Sequence, residues 1–69
     1  MNTDPPGASL LTPTEVKILS LISVGMSDRE VAEELSLGVD AVEIYIEVLL
    51  EKIQAPNRLQ AVFWAGKNL

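Results

Sequence analysis

Helix-start signals constrain the fold of this 69-residue chain more than any other feature. The segments Thr12–Glu15 (TPTE) and Ser27–Glu30 (SDRE) are capping boxes, in which the first and fourth residues exchange side-chain to backbone hydrogen bonds. Asn57, with Gln60 three residues later, marks another helix start. Apolar residues at helical spacing follow each signal, and no segment has the alternation of a strand. The sequence therefore predicts an all-α fold.

Glycine and proline divide this pattern into four predicted helices. Gly25 ends the first, Gly38 precedes the third, Pro56 ends the third and Gly66 ends the fourth. One domain is expected over residues 11–66, between a flexible N-terminal tail over residues 1–10 and a short C-terminal tail over residues 67–69. The residues expected to face the core from the third and fourth helices are Val42, Ile46, Leu49, Leu50, Ile53, Leu59, Val62 and Phe63.

The composition argues against catalysis. The chain has no histidine and no cysteine, so the commonest general base, the commonest metal ligand and the thiolate nucleophile are all missing. Tyr45 and the serine and threonine caps form no nucleophile–base set. We therefore expect no enzyme, no metal site and no cofactor. No stretch approaches the roughly 20 apolar residues of a membrane span, and no signal-peptide pattern is present, so a cytoplasmic protein is expected.

The charge of the chain is unfavourable for binding nucleic acid. Ten acidic residues against five basic ones give a net charge of −5, which repels a polyanion at long range. Three of the acids, Glu43, Glu47 and Glu51, follow one another at four-residue steps along the third predicted helix. Residues four apart lie on one face of a helix, so these carboxylates form a column.

Residues 11 to about 65 resemble the helix-turn-helix domain of LuxR-type bacterial transcription regulators. The resemblance rests on four segments, LTPTE, GMSDREVA, AVEIYIEVLLEKI and NRLQA, which appear in the family's order and spacing. It implies a four-helix domain in which the second and third helices form the helix-turn-helix unit and the third enters the major groove of DNA. Family members usually carry a receiver or ligand-sensing domain ahead of this one. Since 69 residues leave no room for such a domain, the chain resembles the short, stand-alone, spore-regulator-like members.

The departures from the family pattern are concentrated at the start of the recognition helix. There the pattern approximates Ser-x-x-Thr-Val-Lys-x-His, and this chain has Gly38, Ala41, Glu43 and Tyr45 at the four polar positions. The Ala41 side chain has no hydrogen-bonding group, and Glu43 reverses the charge at a position where the family pattern has a DNA contact. The residues that build the fold are kept, and those that contact DNA are changed.

The changed face predicts a protein partner. Helical spacing directs two apolar residues outward between the acids, which is typical of a docking surface for an apolar patch with a basic rim. A plainer alternative is a solvated helix face whose apolar pair is covered by the N-terminal tail. The predicted partner-binding face consists of Glu43, Ile44, Glu47, Val48 and Glu51.

Two further sets of residues follow from the family comparison. Candidate phosphate contacts, if DNA is bound, are Lys17, Arg29, Lys52 and Arg58, although Arg58 is also a candidate ion-pair partner of Glu51 or Glu47. The fourth helix commonly supplies a homodimer contact in this family, and a heterodimer with a related regulator is an alternative. The candidate dimer interface consists of Leu59, Val62, Phe63 and Trp64.

Two hypotheses for function remain open. One is a regulator that acts by contact with a transcription factor or another component of the transcription machinery, for example as an antiactivator. The other is a conventional sequence-specific DNA-binding regulator with rearranged contacts.

Overall fold

The computed structural model describes residues 11–69, and they form four α-helices. The flexible tail predicted over residues 1–10 lies outside the described residues. The all-α, four-helix prediction is confirmed. The helices are α1 (Pro13–Ser23), α2 (Asp28–Leu35), α3 (Val39–Lys52) and α4 (Arg58–Asn68).

Both predicted capping boxes form. The Thr12 hydroxyl accepts the Glu15 N–H at 3.1 Å, and the Thr12 N–H donates to the Glu15 carboxylate at 2.8 Å. Ser27 and Glu30 make the same reciprocal pair at 3.2 and 2.9 Å. These bonds satisfy N–H groups that a helix start otherwise leaves without a partner, so the beginnings of α1 and α2 are fixed locally.

The core is centred on α1, which packs against each of the other three helices. The largest fully buried side chains are Ile18, Leu19, Val31, Val42 and Leu49. The predicted core stripe of α3 is confirmed, with only Leu50 half-buried instead of buried. Since this stripe points towards α1 and α2, the opposite side of α3 faces solvent.

The predicted orientation of the fourth helix is wrong. Leu59 and Phe63, expected to face inward, are 60% and 56% exposed, whereas Ala61 and Ala65 are buried. Small side chains let α4 approach α1 closely, and this close approach turns the large side chains outward.

The predicted end of the fourth helix is also displaced. The helix continues through Gly66 to Asn68, whose side-chain amide donates to the Trp64 carbonyl at 2.8 Å. Gly25, in contrast, does end α1 as predicted: it follows the cap residue Val24 with a φ of 97°, in the left-handed region that glycine adopts without strain.

A partly buried ion pair joins the first turn of α1 to the last turn of α3. Lys52 Nζ donates to Glu15 Oε1 at 2.8 Å, and the Glu15 side chain is only 4% exposed. Burial raises the pKa of Glu15, but the hydrogen bonds from Lys52 and Thr12 and the charge of Lys52 together outweigh burial and leave its pKa below the ordinary value. Glu15 was predicted as a capping residue only, and the structure gives it this second, long-range role.

Replacing Lys52 by Met should lower the free energy of unfolding by about 1–3 kcal/mol at pH 7, because a buried carboxylate then loses a charged donor. The folded-state pKa of Glu15 is lowered, so the stabilisation is complete above the ordinary glutamate value of about 4.3 and is lost as pH falls through the folded-state pKa.

The measurement is urea unfolding at pH 7 and pH 3, with Lys67→Met on exposed α4 as the matched control. The control should change stability by less than about 0.5 kcal/mol at either pH. An equal loss for Lys52→Met at both pH values would contradict the role of the pair.

Candidate functional site

The outer face of α3 carries two parallel strips of unlike chemistry. At 3.6 residues per turn, the residues opposite the core stripe separate into an acidic group and an apolar group that lie side by side. The acidic strip consists of Asp40, Glu43, Glu47 and Glu51, all exposed. The apolar strip consists of Ala41, Ile44 and Val48, of which Ile44 is 61% and Val48 39% exposed.

The apolar strip borders a shallow groove. The groove has a volume of about 240 Å³ and is lined by Glu15, Ala41, Ile44, Tyr45 and Val48. Ala41 and Tyr45 were noted in the sequence only as departures from a family pattern. Helical spacing could have assigned both to this surface, since each lies three residues before one of the two predicted apolar members. The groove is wide enough for one or two apolar side chains and is open to solvent.

The acidic strip has no neutralising partner within residues 11–69. Neither ion pair found in this part of the chain includes a member of the strip. Asp40 was missed in the sequence because it lies outside the four-residue steps, but three residues before Glu43 it belongs to the same face. Neighbouring carboxylates on a helix repel each other by a few tenths of a kcal/mol per pair. Asp40, in the first turn of α3, interacts favourably with the helix dipole, but Glu43, Glu47 and Glu51 do not stabilise the isolated domain.

Two of the four candidate phosphate contacts are engaged inside the domain. Lys52 pairs with buried Glu15, as described above. Arg58 pairs with Asp28 and also donates to the Met26 carbonyl at 3.1 Å. The predicted pairing of Arg58 with Glu51 or Glu47 is wrong, because the first turn of α4 lies against the start of α2.

The other two candidate phosphate contacts, Lys17 and Arg29, are exposed. Lys17 borders a groove with Tyr45, Leu35 and Leu37, and Arg29 lies in the first turn of α2. Neither side chain is on the outer face of α3. That face therefore presents no cation beside its four carboxylates except Lys52 at its edge, which is already paired.

The outer side of α4 presents a second apolar surface. Leu59 and Phe63 lie one turn apart and are both exposed, while Val62 and Trp64 are half-buried. Phe63 and Trp64 also border a groove of about 210 Å³ with Pro56 and Lys67 among its lining residues. All four predicted interface residues are thus at least partly accessible.

Within residues 11–69, no three His, Cys, Asp or Glu side chains come together in a way that could hold a metal ion. In the same range, no helix has the length and apolar character that crossing a bilayer requires.

The amino-acid sequence of most of the chain matches a known family. The family model described as bacterial regulatory proteins, luxR family, matches residues 9–65. This chain belongs to the LuxR family. Its α2 and α3 are accordingly the helix-turn-helix pair, and α3 is at the position of the recognition helix.

Several LuxR-family regulators are similar to this chain. The CsgBAC operon transcriptional regulatory protein of Escherichia coli K12 is 39% identical over 62 residues, which cover 90% of this chain and 29% of the relative. The transcriptional regulatory protein DesR of Bacillus subtilis is 38% identical over 55 residues, covering 80% of this chain and 28% of the relative. LiaR of the same organism is 36% identical over 58 residues, covering 84% and 28%. This chain thus spans less than a third of the length of these relatives.

Replacing Glu47 by Lys should raise the free energy of unfolding by roughly 0.5–1 kcal/mol, because two like-charge pairs along α3 become two opposite-charge pairs. The gain should shrink in 0.5 M salt, which screens exposed charges. Thermal unfolding at low and high salt measures it.

Glu33→Lys on exposed α2 is the control for a changed net charge, and it should give a smaller gain. If Glu47→Lys destabilises the domain, the strip has a structural role that this geometry does not reveal.

Proposed function

We propose that this LuxR-family protein regulates transcription by binding another protein through the outer face of α3, as an antiactivator or modulator of a transcription factor. It acts in the cytoplasm and without catalysis. The observation that carries the proposal is the apolar strip (half-buried Ala41 with exposed Ile44 and Val48) beside four carboxylates that no cation of the described residues pairs.

The electrostatics of α3 oppose docking into a DNA groove. Affinity for DNA comes largely from cations that displace counterions at phosphates, and a carboxylate contributes nothing to that term. One acidic side chain in a recognition helix can accept a bond from a cytosine amine. Four on one face, with Lys52 held by Glu15, place negative charge against the phosphates on both sides of the groove. A protein surface carries no phosphates and therefore need not repel these carboxylates.

The apolar strip also favours a protein partner over DNA. Ile44 and Val48 are exposed, and covering them with another protein stabilises the complex by roughly 25 cal/mol per Å² of apolar area removed from water. The major groove is walled by charged phosphates and polar base edges, and it offers apolar contact mainly at thymine methyl groups. An interface with another protein can bury both side chains at its centre.

Binding to DNA is tested with a pool of genomic duplexes and fluorescence anisotropy at about 0.1 M salt. We expect no sequence to be selected from the pool, and non-specific affinity weaker than about 10⁻⁴ M, beyond the weak end of the usual non-specific range. Glu43→Lys/Glu47→Lys should strengthen duplex binding at least tenfold, because it replaces repulsion with two candidate phosphate contacts. Selection of one tight-binding sequence by the unmodified chain would refute the proposal.

Binding to protein is tested by co-purification from the native cell, with Ile44→Asp as the disrupting variant and Val24→Asp as the matched control. Both residues are exposed, but Val24 lies at the end of α1, away from the α3 face. A partner should be retained by the control and lost with Ile44→Asp. If both variants retain the same proteins, the contact does not involve this face.

A second candidate function is conventional DNA binding, favoured by the exposed Lys17 and Arg29 and by the transcription-regulator names of the relatives. It predicts duplex affinity that falls steeply with salt. Under this function, Glu43→Lys changes which sequence is preferred and does not create binding where there was none. The same anisotropy experiment therefore separates the two functions.

The exposed side of α4 supports pairing through the last helix, either between two copies or with a related regulator. Phe63→Lys should abolish that pairing, because it places a charge at the centre of an apolar contact, while Lys67→Ala at the edge should leave it intact. Sedimentation at about 100 µM measures the homodimer. If the unmodified chain sediments as a monomer, only the heterodimer remains to be tested.

A further inference from the structure

We propose that the surface seated on α3 is the basic, DNA-contacting face of a nucleic-acid-binding protein, and that the acidic strip takes the place of DNA phosphates there. This inference rests on the protein-contact function proposed above and names the chemistry of its partner. Its consequence is competition: a regulator held by α3 cannot hold DNA with the same surface.

Charge complementarity is the first argument. The acidic strip runs from Asp40 to Glu51, a span of about 16 Å at 1.5 Å per residue, and its carboxylates recur at every turn. Within residues 11–69 no Lys or Arg lies within ion-pair distance of any of them. A partner with cations at matching spacing relieves the repulsion along the strip and removes none of the domain's own ion pairs.

The apolar strip narrows the class of partner further. Ile44 and Val48 lie beside the carboxylates on the same face, so a complementary surface needs apolar side chains next to its row of cations. An amphipathic basic helix with cations at every fourth position and an adjacent apolar row meets both requirements. An acidic or neutral protein surface leaves the carboxylates unpaired, and an anionic surface of any kind is repelled.

The expected basic surface is that of a nucleic-acid-binding protein, because such proteins concentrate Lys and Arg on one face. Clustered cations along one helix or face are the electrostatic footprint of nucleic-acid binding. A row of carboxylates on a scaffold with net charge −5 is steered to such a surface at long range, as a duplex is. The apolar strip then adds a contact that the phosphate backbone does not make.

The test uses the full 69-residue chain labelled with ¹⁵N and three synthetic helical peptides of equal length. The first carries Lys at every fourth position beside a row of Leu. The second has the same Leu row with Glu in place of Lys, and the third has the Lys row with Ser in place of Leu. Amide shifts report where each peptide binds, and titration gives its affinity at 0.05 and 0.3 M salt.

We expect the first peptide to bind at least tenfold more tightly than either of the others, with the largest shifts at Ala41–Glu51. The affinity of the first peptide should fall about tenfold when salt is raised from 0.05 to 0.3 M. The unlabelled chain should also displace the first peptide from a labelled duplex. Glu43→Gln/Glu47→Gln should weaken binding at least fivefold, and Glu33→Gln/Glu34→Gln on exposed α2, with the same change in net charge, should change it less than twofold.

Equal binding of the Lys and Glu peptides at Ala41–Glu51 would overturn this inference but leave the protein-contact function standing. No binding of any peptide, or shifts confined to α4, would overturn it as well. Failure of the protein-contact function itself would be recognised separately, by tight and selective duplex binding of the unmodified chain in the anisotropy experiment.

Discussion

The ion pair between Glu15 and Lys52 is the interaction on which the presentation of α3 depends. It joins the capped first turn of α1 to the last turn of α3, and the apolar stripe of α3 packs along the rest of its length. With one side of α3 held against the core and its end held by Glu15, the opposite side is fixed towards solvent. The acidic and apolar strips therefore lie on the surface of the domain, and Lys52, at the edge of this face, is already paired with Glu15.

The local features of the fold could be predicted from the sequence because their causes are local. A capping box needs only residues three apart, and a core stripe needs only helical spacing, so the starts of the helices and the buried side of α3 were predicted correctly. The pairings of Lys52 and Arg58 join residues 37 and 30 positions apart. They depend on how the helices cross, which spacing along one helix does not determine. The orientation of α4 was wrong for the same reason: close packing favoured alanine over the larger side chains.

In the candidate site, too, the features set by spacing along one helix could be predicted, and those set by contacts between helices could not. Spacing along a single helix gave Glu43, Glu47 and Glu51 and the apolar pair between them, and their exposure agrees with that assignment. Asp40 was missed because a step of four back from Glu43 reaches Val39, and Ala41 had been noted only as a departure from the family pattern. The structure adds that Lys52 and Arg58 are paired with Glu15 and Asp28 inside the domain, and this could not be anticipated from their match to family positions. A helix-turn-helix scaffold is thus kept intact, while its outward face carries four carboxylates beside an apolar strip, as the proposed protein contact requires.

We propose that the outer face of α3 contacts protein and not DNA in the cell. The most direct test of this proposal is photo-cross-linking in the native cell, with a photoreactive amino acid at Val48 in the apolar strip and, as a control, at Glu33 on exposed α2. We expect a discrete protein adduct from position 48, none from position 33, and no adduct with DNA. Cross-linking of position 48 to DNA, or the same adducts from both positions, would contradict the proposal.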